Sequence, residues 1–310
     1  MNIIILTLAA LSLSGMLGAS YVRGRSNRRM AGRSAKSDFL FWAGLVAFAA
    51  SSTWPLEQWG REYFAVHQVE FLALRIVSPM LIALSCPGMV LLRGIPGRLR
   101  EMLGPGLPLA VRRILQRPAP VLLFYLASLF LWAIPGFQDA ALTNVGVALL
   151  LHFSLFASGL LFWSRIVDAR TGPRAIGHGV RLMMLWLAML GQISVGAATA
   201  LKSAIWYPAY GDRLADEAVG GILLWIPASI LTLLALLFVI HSWGRHETRL
   251  DLRRRAWSPS NSAILLYPET AQALRAMAAP KNRRLALGLI AFVLFVFLAT
   301  LAQGIGYRLS

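Results

Sequence analysis

Apolar runs long enough to cross a bilayer recur along this chain, and burying them in lipid is the only outcome that avoids exposing them all to water. Runs of about 18 residues or more with few charges fall near 2–22, 38–56, 64–92, 119–136, 141–163, 180–202, 219–241 and 285–303. Each matches the roughly 20 residues that a helix needs to traverse the hydrocarbon core. The expected fold is therefore all-α: a polytopic transmembrane helix bundle of about eight spans, with residues 1–310 forming a single domain. The first run carries no basic residue ahead of its apolar stretch, so it reads as a span rather than a cleaved leader.

Charge sets the orientation. The chain holds 30 Lys plus Arg against 13 Asp plus Glu, a net charge of +17, which in a soluble protein would point to nucleic acid. Here 25 of the 30 basic residues lie in alternate connections, following spans one, three, five and seven. The remaining connections carry acids: Glu57 and Glu62, then Asp139, then Asp212, Asp216 and Glu217. By the positive-inside rule both termini face outward, and the basic excess is explained without nucleic acid. Residues 242–284 form a basic cytoplasmic loop, with helical stretches at His241–Arg255 and Pro268–Met277 that suit an anionic lipid surface. Trp54, Trp59, Trp163, Trp206, Trp243 and Trp257 stand at or near span ends, as an interfacial belt requires. Only 14% of residues are charged, against about 25% in soluble domains, so an ionisable side chain inside a span needs a reason to be there.

Span three has three such residues, His67, Glu70 and Arg75. At 100° per residue His67, Phe71, Arg75 and Ser78 form one stripe, with Glu70 to its side. Arg75 falls near mid-bilayer and needs an acid or carbonyl partner; Glu70 is close in sequence but on another face. His152 on span five and Gln192 on span six lie at similar depth, and a polar cavity between spans three, five and six that opens outward would unite them. Ser154, Ser158, Thr199 and Gln192 read equally as interhelical hydrogen-bonding groups. Neutral imidazole suits copper, so His67, Glu70 and His152 form the candidate metal set, with Met80 or Met189 as additional donors. The single cysteine, Cys86, reads as a small apolar residue, and the chain has no HExxH, GxSxG or phosphate-binding glycine loop.

Several stretches resemble the CtaG-like family of cytochrome c oxidase assembly factors. They are Phe64–Pro87 (FAVHQVEFLALRIVSPMLIALSCP), Leu151–Val167 (LHFSLFASGLLFWSRIV), Ile193–Ala197 (ISVGA), Tyr207–Tyr210 (YPAY) and Asp216–Pro227 (DEAVGGILLWIP). The resemblance implies a multi-pass protein of the bacterial inner membrane that assists copper-site assembly in a haem-copper oxidase without being an enzyme. Its partners would be oxidase subunits and membrane lipids. Phe71 stands where the family has a second histidine, Glu70 where glutamine is typical, Phe153 where another histidine is common, and Leu224 where methionine is frequent. Each change removes or alters a donor, so the scaffold is expected with altered site chemistry. Two other readings stay open: a metal-free structural partner or subunit of a respiratory complex, and a small transporter or channel.

Overall fold

A computed structural model describes residues 2–26, 34–97, 117–168 and 176–257, together with 114, 283, 286–288, 290 and 291. Among these residues there is no strand. The helices are α1 (Asn2–Arg25), α2 (Ala35–Ser51), α3 (Leu56–Glu62), α4 (Phe64–Leu72), a π-helical turn (Ala73–Val77), α5 (Ser78–Leu84) and α6 (Gly88–Gly94). They continue with α7 (Pro118–Trp132), α8 (Pro135–Thr143), α9 (Val145–Ile166), α10 (His178–Leu201) and α11 (Leu214–Trp257). Among the described residues five helices are long and apolar enough to cross a membrane, or seven if two bent pairs each count as one span. The protein is thus an all-α polytopic bundle. The eighth expected run, 285–303, lies almost wholly outside the described residues.

The bends have local causes. α2 and α3 meet at 44° and α7 and α8 at 76°, with Pro55 before α3 and Pro135 opening α8, positions where proline's missing N–H costs no helical bond. Inside span three, Pro79 would leave the Arg75 carbonyl without its amide and crowd it with the ring. The chain accommodates this by widening into the π turn, where the Ser78 amide reaches Ala73 O. The break between α5 and α6 falls at Cys86, which is exposed and has φ of 49°. α11 does not stop near residue 241. It runs on to Trp257, through sequence expected as the start of the basic loop, because the Leu- and Arg-rich stretch between Pro227 and Trp257 holds no proline and only one glycine, Gly244.

The chain divides into two compact units, Met1–Val239 and Ile240–Ser310, and the polar residues of interest belong to the first. Within it, close crossings are made by glycines. A Cβ on Gly24 would overlap Val90 O and one on Gly94 would overlap Ser20 O, so α1 and α6 touch backbone to backbone, the contact that small residues permit in lipid. Gly196 and Gly221 do the same for α10 and α11. At the basic ends of α1 and α2, Tyr21 stacks on Phe41 with centroids 3.8 Å apart. There Asp38 accepts from Tyr21 Oη at 2.6 Å and pairs with Arg25 at 3.1 Å. Of the expected tryptophan belt, Trp54, Trp59 and Trp206 are exposed, whereas Trp163 is fully buried against Phe162.

Candidate functional site

The histidines are placed by the crossing of α9 over the π turn. Gly159 lies so close to the Arg75 carbonyl that a Cβ would overlap it, and Pro79 Cγ would stand 2.9 Å away. The acceptor that Pro79 freed is thereby covered by a residue with no side chain. From this contact His152 is seven residues back along α9, two turns on the same face. His67 is eight residues back from Arg75, one of which the π turn absorbs. α4 and α9 are alternate crossings and begin at the same end, as the reach of Arg61 Nη1 to Leu142 O at 2.9 Å shows. Counted at 1.5 Å per residue, both histidines lie about 10 Å along their helices from the Arg75–Gly159 contact, toward the same end of the bundle.

Both rings are oriented in the same way. His67 Nδ1 is 3.3 Å from Glu70 Oε2, and His152 Nδ1 is 2.9 Å from Ala148 O. A carbonyl can only accept, so His152 donates from Nδ1; an ionised Glu70 would select the same tautomer for His67. Nε2 of each ring is buried and without a hydrogen-bond partner among the described residues. Glu70 is covered by Gly60, where a Cβ would lie 2.5 Å from the carboxylate. Nearby, Glu57 accepts from Arg61 Nε at 2.8 Å.

Arg75, Gln192 and the serines form a separate network deeper in the bundle. Arg75 does not pair with Glu70. Its Nη2 donates to Tyr125 O at 2.9 Å and its guanidinium lies 3.7 Å from the centre of the Tyr125 ring. Tyr125 Oη accepts from Gln192 Nε2 at 3.3 Å, and Gln192 Oε1 accepts from Thr232 Oγ1 at 3.3 Å. Ser128 donates to Tyr125 O at 2.8 Å and sits 2.9 Å from Ser158 Oγ. One tyrosine so joins the π turn to α7, α10 and α11, and Ser128 adds α9. Among the described residues, one cavity with room for about one water is bounded by Gln68, Trp132, Gln138, Thr199 and Tyr207, among others, and not by His67, Arg75, His152 or Gln192.

Asp216 and Glu217 hold the outer ends together. Asp216 accepts from the Phe64 and Ala65 amides at 2.7 and 3.2 Å, capping α4 from 152 residues away. Glu217 accepts from the Trp206 and Tyr207 amides at 3.1 and 2.9 Å and forms an ion pair with Lys202. Burial pushes the Tyr207 hydroxyl up to about 12, so it stays protonated and donates to Ala133 O at 2.6 Å. Tyr125 and Thr232 are absent from the residues singled out by sequence, and Tyr207 enters there only within the Tyr207–Tyr210 stretch. Tyr125 and Thr232 each had a signal, a hydroxyl in the middle of an apolar run.

Among the described residues no three His, Cys, Asp or Glu side chains are grouped to hold a metal ion.

This arrangement defines a multi-pass helical membrane protein. The sequence profile of the family described as cytochrome c oxidase caa3 assembly factor (Caa3_CtaG) matches residues 19–246, and the chain belongs to that family. An uncharacterized protein of Mycobacterium leprae is 25% identical over 269 residues, covering 80% of this chain and 40% of its own length. An uncharacterized protein of Mycobacterium bovis is 24% identical over 273 residues, with coverage of 82% and 40%. The chain therefore spans about 40% of the length of these relatives. A heme A synthase of Cereibacter sphaeroides is 32% identical over 99 residues, 31% of this chain and 23% of that protein. No solved structure matches.

Proposed function

We propose that this chain is a non-enzymatic accessory factor of the bacterial inner membrane that assists assembly of a haem-copper cytochrome c oxidase, and that His67 and His152 bind copper during that work. Family membership supports the assembly role. The observation that supports the copper role is the matched state of the two imidazoles, each with Nδ1 engaged and Nε2 buried and without a partner among the described residues. Metal-bound histidines are held in this way, their other ring nitrogen tied to a carboxylate or a backbone carbonyl. Glu70 serves as the orienting group for His67. The ion would supply a soft Lewis-acidic centre that two neutral nitrogens satisfy, and Cu(I) accepts a small donor set of this type. The protein's part is to keep both rings neutral, fixed in tautomer and shielded from water.

The test is Cu(I) binding by the purified full-length protein, followed by competition with a chromophoric chelator. His67→Ala/His152→Ala is expected to abolish the competing site, and Glu70→Gln to weaken it by about tenfold, the lower end for loss of an orienting partner. Unchanged affinity in the double variant would remove both residues from the account. In cells, deletion of the gene is expected to lower oxidase activity, and added copper to restore it; normal activity without either would sink the assembly role.

A further inference from the structure

His67 lies beneath a piece of chain that is held by an aromatic cluster and by charge-assisted hydrogen bonds. The segment linking α10 to α11 crosses the first turn of α4. There Tyr207 stacks on Phe64 at 4.4 Å, and Tyr210 meets Phe64 edge-on at 5.5 Å. The Tyr210 ring centre is 5.9 Å from that of His67. The side chains of Ile205 and Trp206 in the same segment are exposed. Its polar fastenings are Glu217, which takes the Trp206 and Tyr207 amides and Lys202, and the Tyr207 hydroxyl, which donates to Ala133 O, while Asp216 takes the α4 amides under the aromatic rings. Gly211, at φ of 86°, turns the chain back between the aromatic residues and the doublet, a conformation that glycine adopts freely.

One group opposes closure. Tyr210 Oη is buried with no hydrogen-bond partner among the described residues, and lifting the segment would return it to water. A buried unpaired hydroxyl disfavours the closed state, whereas the charge-assisted bonds to Glu217 favour it. These opposing contributions fall on one short segment, with its reversal at a glycine, and they make an element with two arrangements.

We propose that residues 202–213 form a strap that closes over His67, latched by Asp216 and Glu217, and that a cation reaches the imidazole from the outer side only when the strap lifts. The proposal rests on the two-histidine reading above for what passes beneath the strap, but its test does not need a metal.

Diethyl pyrocarbonate acylates a neutral imidazole nitrogen, so its rate at His67 in the metal-free full-length protein, read by peptide mass spectrometry, reports access to Nε2. His241, which is exposed, serves as the reference for reagent activity. Glu217→Gln and Asp216→Asn are each expected to speed modification of His67 by about tenfold, the order produced by loss of one charge-assisted hydrogen bond. Tyr210→Phe keeps the ring and removes the orphaned hydroxyl, and is expected to slow modification about threefold or more. This variant leaves the latch intact, so it decides the matter even if the carboxylate variants fail to fold. An unchanged rate in Tyr210→Phe, or in a well-folded Glu217→Gln protein, overturns the strap. Acceleration in a protein that binds no Cu(I) would keep the strap and overturn the copper reading. Cu(I) binding that needs both histidines, with no acceleration, would do the reverse.

Discussion

Gly159→Val is expected to cost about 3 kcal/mol of stability, the upper end for overpacking, and to weaken Cu(I) binding with both histidines still present. The valine side chain would enter the space of the Arg75 carbonyl and Pro79 ring. A backbone carbonyl inside a helix has no rotamer to escape into, and Pro79 fixes the local path. Relief has to come from separating α9 from the π turn. His152 is carried by α9 and His67 by α4, so the same separation parts the two imidazoles. Thermal unfolding in detergent measures the first effect and chelator competition the second. Gly136→Ala is the control, because nothing lies within 4 Å of a Cβ at Gly136. A fall in stability with unchanged copper affinity would show that the histidines do not depend on this seam.

The parts of this architecture that were legible in sequence are those governed by a single residue's neighbours along the chain. Hydropathy located the runs now seen as α1, α2, span three, α7, α9, α10 and α11, and the alternation of Arg and Lys put His67 and the Asp216–Glu217 doublet at the same end. The i, i+3 relation of His67 and Glu70 is likewise a property of one helix and is present as a 3.3 Å contact. Non-local partners were not legible. Arg75 needed a partner, but nothing in its own segment names a carbonyl on a helix 50 residues away. Asp216 reads as a loop acid until α4 arrives beneath it. The π turn had a cue in Ser78–Pro79, yet whether proline kinks a helix or widens it depends on what packs there, and Gly159 is in another span. Nor does equal depth along two helices name the partner of a polar side chain. The depth is the same, but Gln192 turns to Tyr125 and His152 to its own helix.

Tyr125→Ala is expected to have the largest effect of any single side-chain truncation in the deep network, about 4 kcal/mol, within the range for removing a buried aromatic residue. The Tyr125 ring is fully buried, stacks on Phe162 at 4.0 Å and carries the Arg75 guanidinium on its other face. Tyr125→Phe removes only the hydroxyl that accepts from Gln192 and is expected to cost about 1 kcal/mol. The difference between the two substitutions measures the ring. How much of that difference is electrostatic can be separated from packing through Arg75. Its Nε and Nη1 have no partner among the described residues, and a buried cation without a carboxylate is held at a desolvation cost. Arg75→Met, similar in volume and apolar, is therefore expected to be close to neutral rather than destabilising. In that background Tyr125→Ala should cost about 2 kcal/mol less than in the native protein, the coupling of a desolvated cation–π pair. The measurement is a double-mutant cycle in detergent unfolding. A coupling near zero would make Tyr125 a space-filling residue only. A large loss in Arg75→Met alone would mean that the guanidinium holds the bundle through its bond to the Tyr125 carbonyl, and that an anionic or aqueous partner completes Arg75 in the membrane.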